Sequence, residues 1–103
     1  MFTHVMIGSN DLDRSKAFYD ATFTALGGTP GKIDDRGRLV YIHNGSRLMV
    51  TTPSDGKPAT AANGGTIGIV ASRADQVQAW HEAGAANGGT SIESPPSLRP
   101  NGS

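Results

Sequence analysis

The chain contains no cysteine, so neither a disulfide framework nor a thiolate site is available to it. It also lacks any run of basic residues. Lys plus Arg and Asp plus Glu both number nine and the formal net charge is zero, so no surface that tracks nucleic-acid phosphates is expected. After Met1 there is no basic region followed by a long apolar run, so neither a secretory leader nor a membrane partner is expected, and a soluble cytoplasmic protein is the default. No nucleophile elbow, phosphate-binding glycine loop or zinc-spaced ligand pair appears. Asn87-Gly88-Gly89-Thr90 is glycine-rich, but it closes a helical pattern instead of opening one, which is the wrong polarity for holding a phosphate.

What the chain does contain is punctuation. Its fourteen glycines fall partly in pairs at segment ends, Gly27-Gly28, Gly64-Gly65 and Gly88-Gly89, as stops between elements instead of a periodic repeat. With 103 residues one domain is expected, and at that size about two thirds of the unfolded chain's surface can be buried. Three parts are read within it: a first module over 1–52, a linker over 53–65 and an incomplete second module over 66–103.

The first module opens on a short alternating run with Thr3, Val5 and Ile7 on one face and Phe2, His4 and Met6 on the other. Asn10 or Asp11 then caps a helix, and Asp13 stands in the first turn near the positive end of the helix dipole. Phe18, Tyr19, Thr22, Phe23 and Leu26 recur at spacings of three and four and predict the buried stripe, while Arg14, Lys16 and Asp20 are predicted to face water. A short edge strand is expected at 32–34. Residues 38–43 alternate, with Val40 and Ile42 opposed to Leu39, Tyr41 and His43. Asn44-Gly45 follows directly, and both central positions of a type I′ turn require positive φ, so 46–52 is the returning strand.

Residues 53–65 have no apolar periodicity. A strand is expected over 66–71, then a helix opened by Ser72 with Asp75 as its capping partner and running to about Ala86, with Val77, Trp80, Ala83 and Gly84 on its inner stripe. A further short strand is expected over 90–93. Laid over one another, the helix segments KAFYDA (16–21) and QAWHEA (78–83) share one offset, which also places Gly27 on Gly89 and Val5 and Ile7 on Ile67 and Ile69. This is an internal duplication. Two such units about a pseudo-twofold axis can join their sheets edge to edge around a shared cleft with the helices outside, and that is the arrangement expected.

The opening HVMIGSNDLDRSKAFYDATFTALGG resembles that of the glyoxalase, bleomycin-resistance and extradiol-dioxygenase superfamily, the vicinal oxygen chelate proteins, and PSDGKPATAANGG resembles an inter-module linker of one bacterial branch. The resemblance implies an α+β fold: tandem βαβββ modules forming an open, curved, barrel-like sheet with helices outside, here with the second module truncated after its second strand. For that truncation three readings stand: the chain continues past these residues, the gene is short, or a partner subunit supplies the missing edge. The resemblance further implies a homodimer and a small organic ligand. It implies either a metal-dependent lyase or dioxygenase, or a metal-free binding protein of the drug-sequestering type. Active members hold one divalent metal on four ligands. Carried over, the first matches His4, the second-module equivalent is Thr66, the end of the fourth strand offers Thr51 and Thr52 in place of a carboxylate, and the last falls beyond the chain.

If the Val5 and Ile7 face packs on the helix, strand parity puts Phe2, His4, Met6, Tyr41, His43, Arg47, Met49, Thr51, Thr66 and Gly68 on the cleft face. Of these, Met6, Tyr41, His43, Arg47, Met49 and Thr66 are the candidate ligand-binding residues and His4 the candidate metal ligand. Each has a plainer reading. His4 also reads as a hydrogen-bonded cleft histidine, and His43, beside a hairpin turn, as a solvated imidazole. His81 is read as a helix-surface residue. Arg47 either binds an anionic group or pairs with a neighbouring carboxylate, and Met6, Tyr41 and Met49 either wall an apolar ligand or fill a core.

Overall fold

A computed structural model describes residues 1–90 of the chain. The elements are β1 (Val5–Gly8), α1 (Leu12–Ala25), β2 (Lys32–Ile33), β3 (Leu39–His43), β4 (Ser46–Thr51) and α2 (Ala74–Ala86). The four strands form an open sheet in the order β1-β4-β3-β2, with β1 parallel to β4 and the other pairs antiparallel. Helix α1 packs on β3 and β4, and α2 packs on α1. This is the expected α+β class.

Local chemistry sets the ends of α1. Asp11 holds an extended backbone and its carboxylate accepts from the Arg14 amide at 3.1 Å, a standard N-cap. Asn10 has a different task. Its side chain donates to the residue 59 carbonyl and accepts from the Ala59 amide, clamping the linker beside the helix start. At the far end Gly27 takes φ +82° and the Gly28 amide returns to the Phe23 carbonyl, the left-handed stop that glycine permits. The Asn44-Gly45 turn has φ of 49° and 80°, as a type I′ turn requires.

The core lies between α1 and one face of the sheet. Phe23 and Leu26 meet Leu39 and Tyr41 of β3 and Leu48 and Val50 of β4, with Ile7, Leu12, Tyr19, Ile69 and Ala71 at its margins. The register explains the membership. Val5, Leu48 and Tyr41 form one row across the sheet, and Ile7, Val50 and Leu39 the next. Tyr41 and His43 therefore lie on the helix side, not on the far face where parity within β3 alone had placed them. Residues paired across a ladder share a face.

Tyr41 is what fastens the helix to the sheet. Its ring stacks on Phe23 at 4.9 Å and its hydroxyl donates to Asp20 Oδ1 at 2.6 Å. Asp20 also accepts from the Gly31 amide at 2.8 Å and from Lys16 Nζ at 2.6 Å. Asp20 thus turns inward instead of facing water. Burial works against its charge, but the hydrogen bonds from Lys16, Tyr41 and Gly31 and the Lys16 charge outweigh that and hold the carboxyl below its ordinary range. Burial first, then the Asp20 hydrogen bond and charge, raise the Tyr41 phenol, which stays protonated. Gly31 is required here because a Cβ would stand 2.5 Å from Tyr41 Cζ.

Helix α2 departs from expectation at its start. Its N-cap is Arg73, not Ser72, and the Gln76 side chain accepts from the Ser72 and Arg73 amides while donating to the Leu26 carbonyl. The buried stripe rotates accordingly to Gln76 and Gly84, leaving Val77 and Trp80 exposed, because α2 lies on another helix and not on a sheet of its own. Gly84 and Gly89 meet Phe18 and allow the helices to approach. Residues 66–71 enter no ladder among the described residues. They run extended along the core margin through Ile69 and Ala71, since a strand needs a neighbour to pair with. The strand expected over 90–93 lies, past its first residue, outside the described residues.

Two stability predictions follow from this packing. Asp20→Asn should cost about 1–3 kcal/mol at neutral pH by urea denaturation, since a charged acceptor of three hydrogen bonds is lost. A carboxyl depressed in the folded state contributes stability above its unfolded pKa and loses it as pH falls through the folded value. The gap between wild type and Asp20→Asn should therefore close below the ordinary aspartate value of 3.8. For Gly89→Ala, the new Cβ would stand 2.8 Å from both the Gly84 carbonyl oxygen and Phe18 Cε1. Helix packing should lose about 1–3 kcal/mol, read as a lowered thermal midpoint.

Candidate functional site

Where the β3–β4 hairpin ends the sheet, a cavity of about 530 Å³ opens between three pieces of chain. Residues 2–5 lead into β1 on one side, residues 43–48 of the hairpin form the floor, and residues 66–70 run over it as the opposite wall. Phe23 and Tyr41 close the inner end. Phe2, Val5, Leu48, Ile67 and Ile69 make much of the lining apolar. That size and character are typical of small-molecule pockets.

One hydrogen bond holds the wall in place. His43 Nε2 lies 2.9 Å from the Val70 carbonyl. A carbonyl only accepts, so Nε2 carries the proton. The ring also packs at 5.5 Å from the Phe23 ring. His43 is thus a strut between the hairpin and the 66–70 segment, not a solvated imidazole. Tyr41 presents its ring to the cavity while its hydroxyl is committed to Asp20 and the Lys16 carbonyl.

Arg47 belongs to the lining, but its ladder partner is Ile42, so its side chain leaves β4 on the face away from α1. Lys16, Arg38 and Arg73 each sit within 2.9 Å of a carboxylate, but Arg47 is in no ion pair among the described residues. His4 is exposed and its Nδ1 is 2.8 Å from the Thr3 hydroxyl. Thr66 lies on the opposite wall. Five of the seven candidates, His4, Tyr41, His43, Arg47 and Thr66, belong to the lining of one cavity, although by the ladder register His4 and Arg47 direct their side chains to the face away from α1. Met6 and Met49 do not belong to it. They pair with each other on the other face of the sheet, where Met49 also pairs with Val40. His81 lies elsewhere, half-buried beside Phe18 and Trp80 between the helices.

Val5, Leu48, Ile69 and Val70 also line the cavity, and parity within single strands did not assign them to it. The signal was available in the turn. A two-residue hairpin sets His43 opposite Ser46 and hence Tyr41 opposite Leu48, which places the aromatic residue and the apolar residues on one side.

A metal of the kind the resemblance implies needs at least three protein ligands to be held tightly. Among the described residues no three His, Cys, Asp or Glu side chains come together. Of the family's ligand positions within the described residues, His4 supplies one imidazole and Thr66 and Thr51 supply neutral hydroxyls, a donor set that by itself does not fit such an ion.

Comparison with known proteins agrees with this architecture. The model of the glyoxalase/bleomycin resistance protein/dioxygenase superfamily matches residues 1–103. A glyoxalase/bleomycin resistance protein from Albidiferax ferrireducens, of known crystal structure, is 47% identical with a TM-score of 0.90 over 96% of this chain and 79% of that one. No curated protein matches. The chain belongs to the glyoxalase/bleomycin resistance protein/dioxygenase superfamily. No helix among the described residues is long and apolar enough to cross a membrane.

His43→Phe keeps a ring against Phe23 and removes the donor to Val70. Backbone order parameters measured by NMR should fall over 67–70 in that variant, with a stability loss of about 1 kcal/mol.

Proposed function

We propose that this protein binds a small organic molecule in the cavity beneath residues 66–70, without a metal ion held by the described residues, as a sequestering member of its superfamily. The observation that carries this reading is the pairing of a 530 Å³, largely apolar cavity with the lack, among the described residues, of any three His, Cys, Asp or Glu side chains placed to share an ion. Apolar walls contribute affinity roughly in proportion to the ligand surface they remove from water, and a few polar groups orient it. Here Ser46, Asn44 and Thr66 are polar groups of the lining.

The setting we propose is a cytoplasmic homodimer. On the sheet face away from α1, Met6 and Ile42 remain 42% and 64% exposed, an apolar surface that a second copy would cover.

The test is to purify the protein without chelator, measure its metal content, and screen planar apolar molecules by thermal shift. We expect less than stoichiometric metal and saturable shifts that disappear in Val5→Trp, where the larger side chain fills the cavity. Stoichiometric divalent metal that is lost in His4→Ala, with no saturable organic binding, would establish the metal-dependent lyase or dioxygenase reading instead.

A further inference from the structure

Among the described residues the chain carries three Asn-Gly pairs, at 44–45, 63–64 and 87–88. Such a pair reacts with water alone. The glycine amide nitrogen attacks the asparagine Cγ, and a new N–Cγ bond forms as the Cγ–Nδ2 bond breaks. The side-chain nitrogen departs as ammonia, taking up the proton that the glycine amide gives up. Water then opens the cyclic imide at either carbonyl, leaving aspartate, or isoaspartate with the backbone rerouted through Cγ. Glycine, with no side chain, is the following residue that hinders this attack least. We infer that Asn63 is a site of spontaneous modification, deamidating in the folded chain ahead of Asn44 and Asn87.

The dipeptide does not rank the three, since glycine follows each. Ring closure brings the glycine nitrogen round to Cγ, so whatever fixes the peptide unit between the two residues slows the reaction. Asn44 is held at φ 49° in a two-residue turn whose flanks, His43 and Ser46, pair in the β3–β4 ladder. Rotation there disturbs the hairpin. Asn87 ends α2, where its Nδ2 donates to the Ala83 carbonyl at 2.8 Å and its backbone amide to the Gly84 carbonyl at 3.2 Å. The Gly89 amide returns to that same carbonyl at 2.7 Å, pinning the chain on the other side. Asn63, by contrast, is exposed, and neither its side chain nor its backbone makes a hydrogen bond among the described residues. A single bond at 3.2 Å, from the Gly65 amide to the Ala62 carbonyl, closes the turn around it. Exposed, thinly bonded turns open at the least cost.

The product differs in charge and in backbone length. A carboxylate replaces the amide, taking the formal net charge from zero to minus one. Isoaspartate adds one backbone carbon to the turn that leads into residues 66–70, the wall of the cavity.

The test is to incubate the whole chain in mildly alkaline buffer, sample it over days, and map each site by peptide mass spectrometry with fragmentation. Asn101-Gly102, outside the described residues, is mapped as a separate site. Asn63 should convert about tenfold or more faster than Asn44 and Asn87, since opening those two sites breaks at least one further hydrogen bond or ladder pair. In guanidinium chloride the three rates should converge, because the following residue is the same. Conversion of Asn44 or Asn87 in the folded chain as fast as Asn63 would overturn the inference. So would an unchanged order and spacing of rates in denaturant, which would trace the preference to sequence neighbours and not to the fold. Absence of conversion at Asn63 in the folded chain, over a time in which the unfolded chain reacts fully, would overturn it as well.

Discussion

The carboxylate of Asp20 sits at the junction of three parts of the chain, and the arrangement of the rest depends on it. It belongs to α1, it receives the hydroxyl of Tyr41 from β3, and it receives the amide of Gly31 from the loop before β2. A charged acceptor satisfied by a phenol, an amide and an ammonium is strongly directional. It fixes the rotation of α1 over the sheet as well as its distance. With that rotation set, Phe23 stacks on Tyr41 and reaches His43, and the inner end of the cavity is closed by the same rings that build the core. Core and site are therefore continuous here.

That continuity explains why small residues matter away from the site. Gly31 allows the backbone to run against the Tyr41 ring, and Gly84 and Gly89 let α2 settle on Phe18. Gln76 then reaches the carbonyl of Leu26 at the end of α1. The start of α2 carries the 66–71 segment with it, and His43 receives that segment at Val70. The cavity wall is thus held at one end by helix packing and along its length by a single imidazole. It is the least supported part of the site, in keeping with the tendency of binding surfaces to come from segments with few buried contacts.

Much of the fold was legible in the residues. The α1 stripe, its Asp11 cap, its glycine stop and the Asn44-Gly45 hairpin rest on rules that act over four or five residues, and all four are present. The superfamily was legible from the opening segment and is matched over the whole chain. Less of the site could be read. Assigning faces strand by strand left Tyr41 and His43 on the wrong side, because parity says which residues alternate but not which set meets the helix. Asp20 looked like a surface residue because its partner lies 21 positions away. The strand expected over 66–71 had the right alternation but no neighbour among the described residues.

What the sequence determined by itself was local: where helices begin and end, where the chain reverses, and that an imidazole and an arginine stand near the start of β1 and β4. Short-range sterics and hydrogen bonding dictate these, whatever surrounds them. Only the tertiary structure decided which face of the sheet became the floor of a cavity, and that His43 would be a strut. Those outcomes depend on residues far apart in the chain competing for the same space and the same hydrogen bonds, and no local pattern encodes the result of that competition.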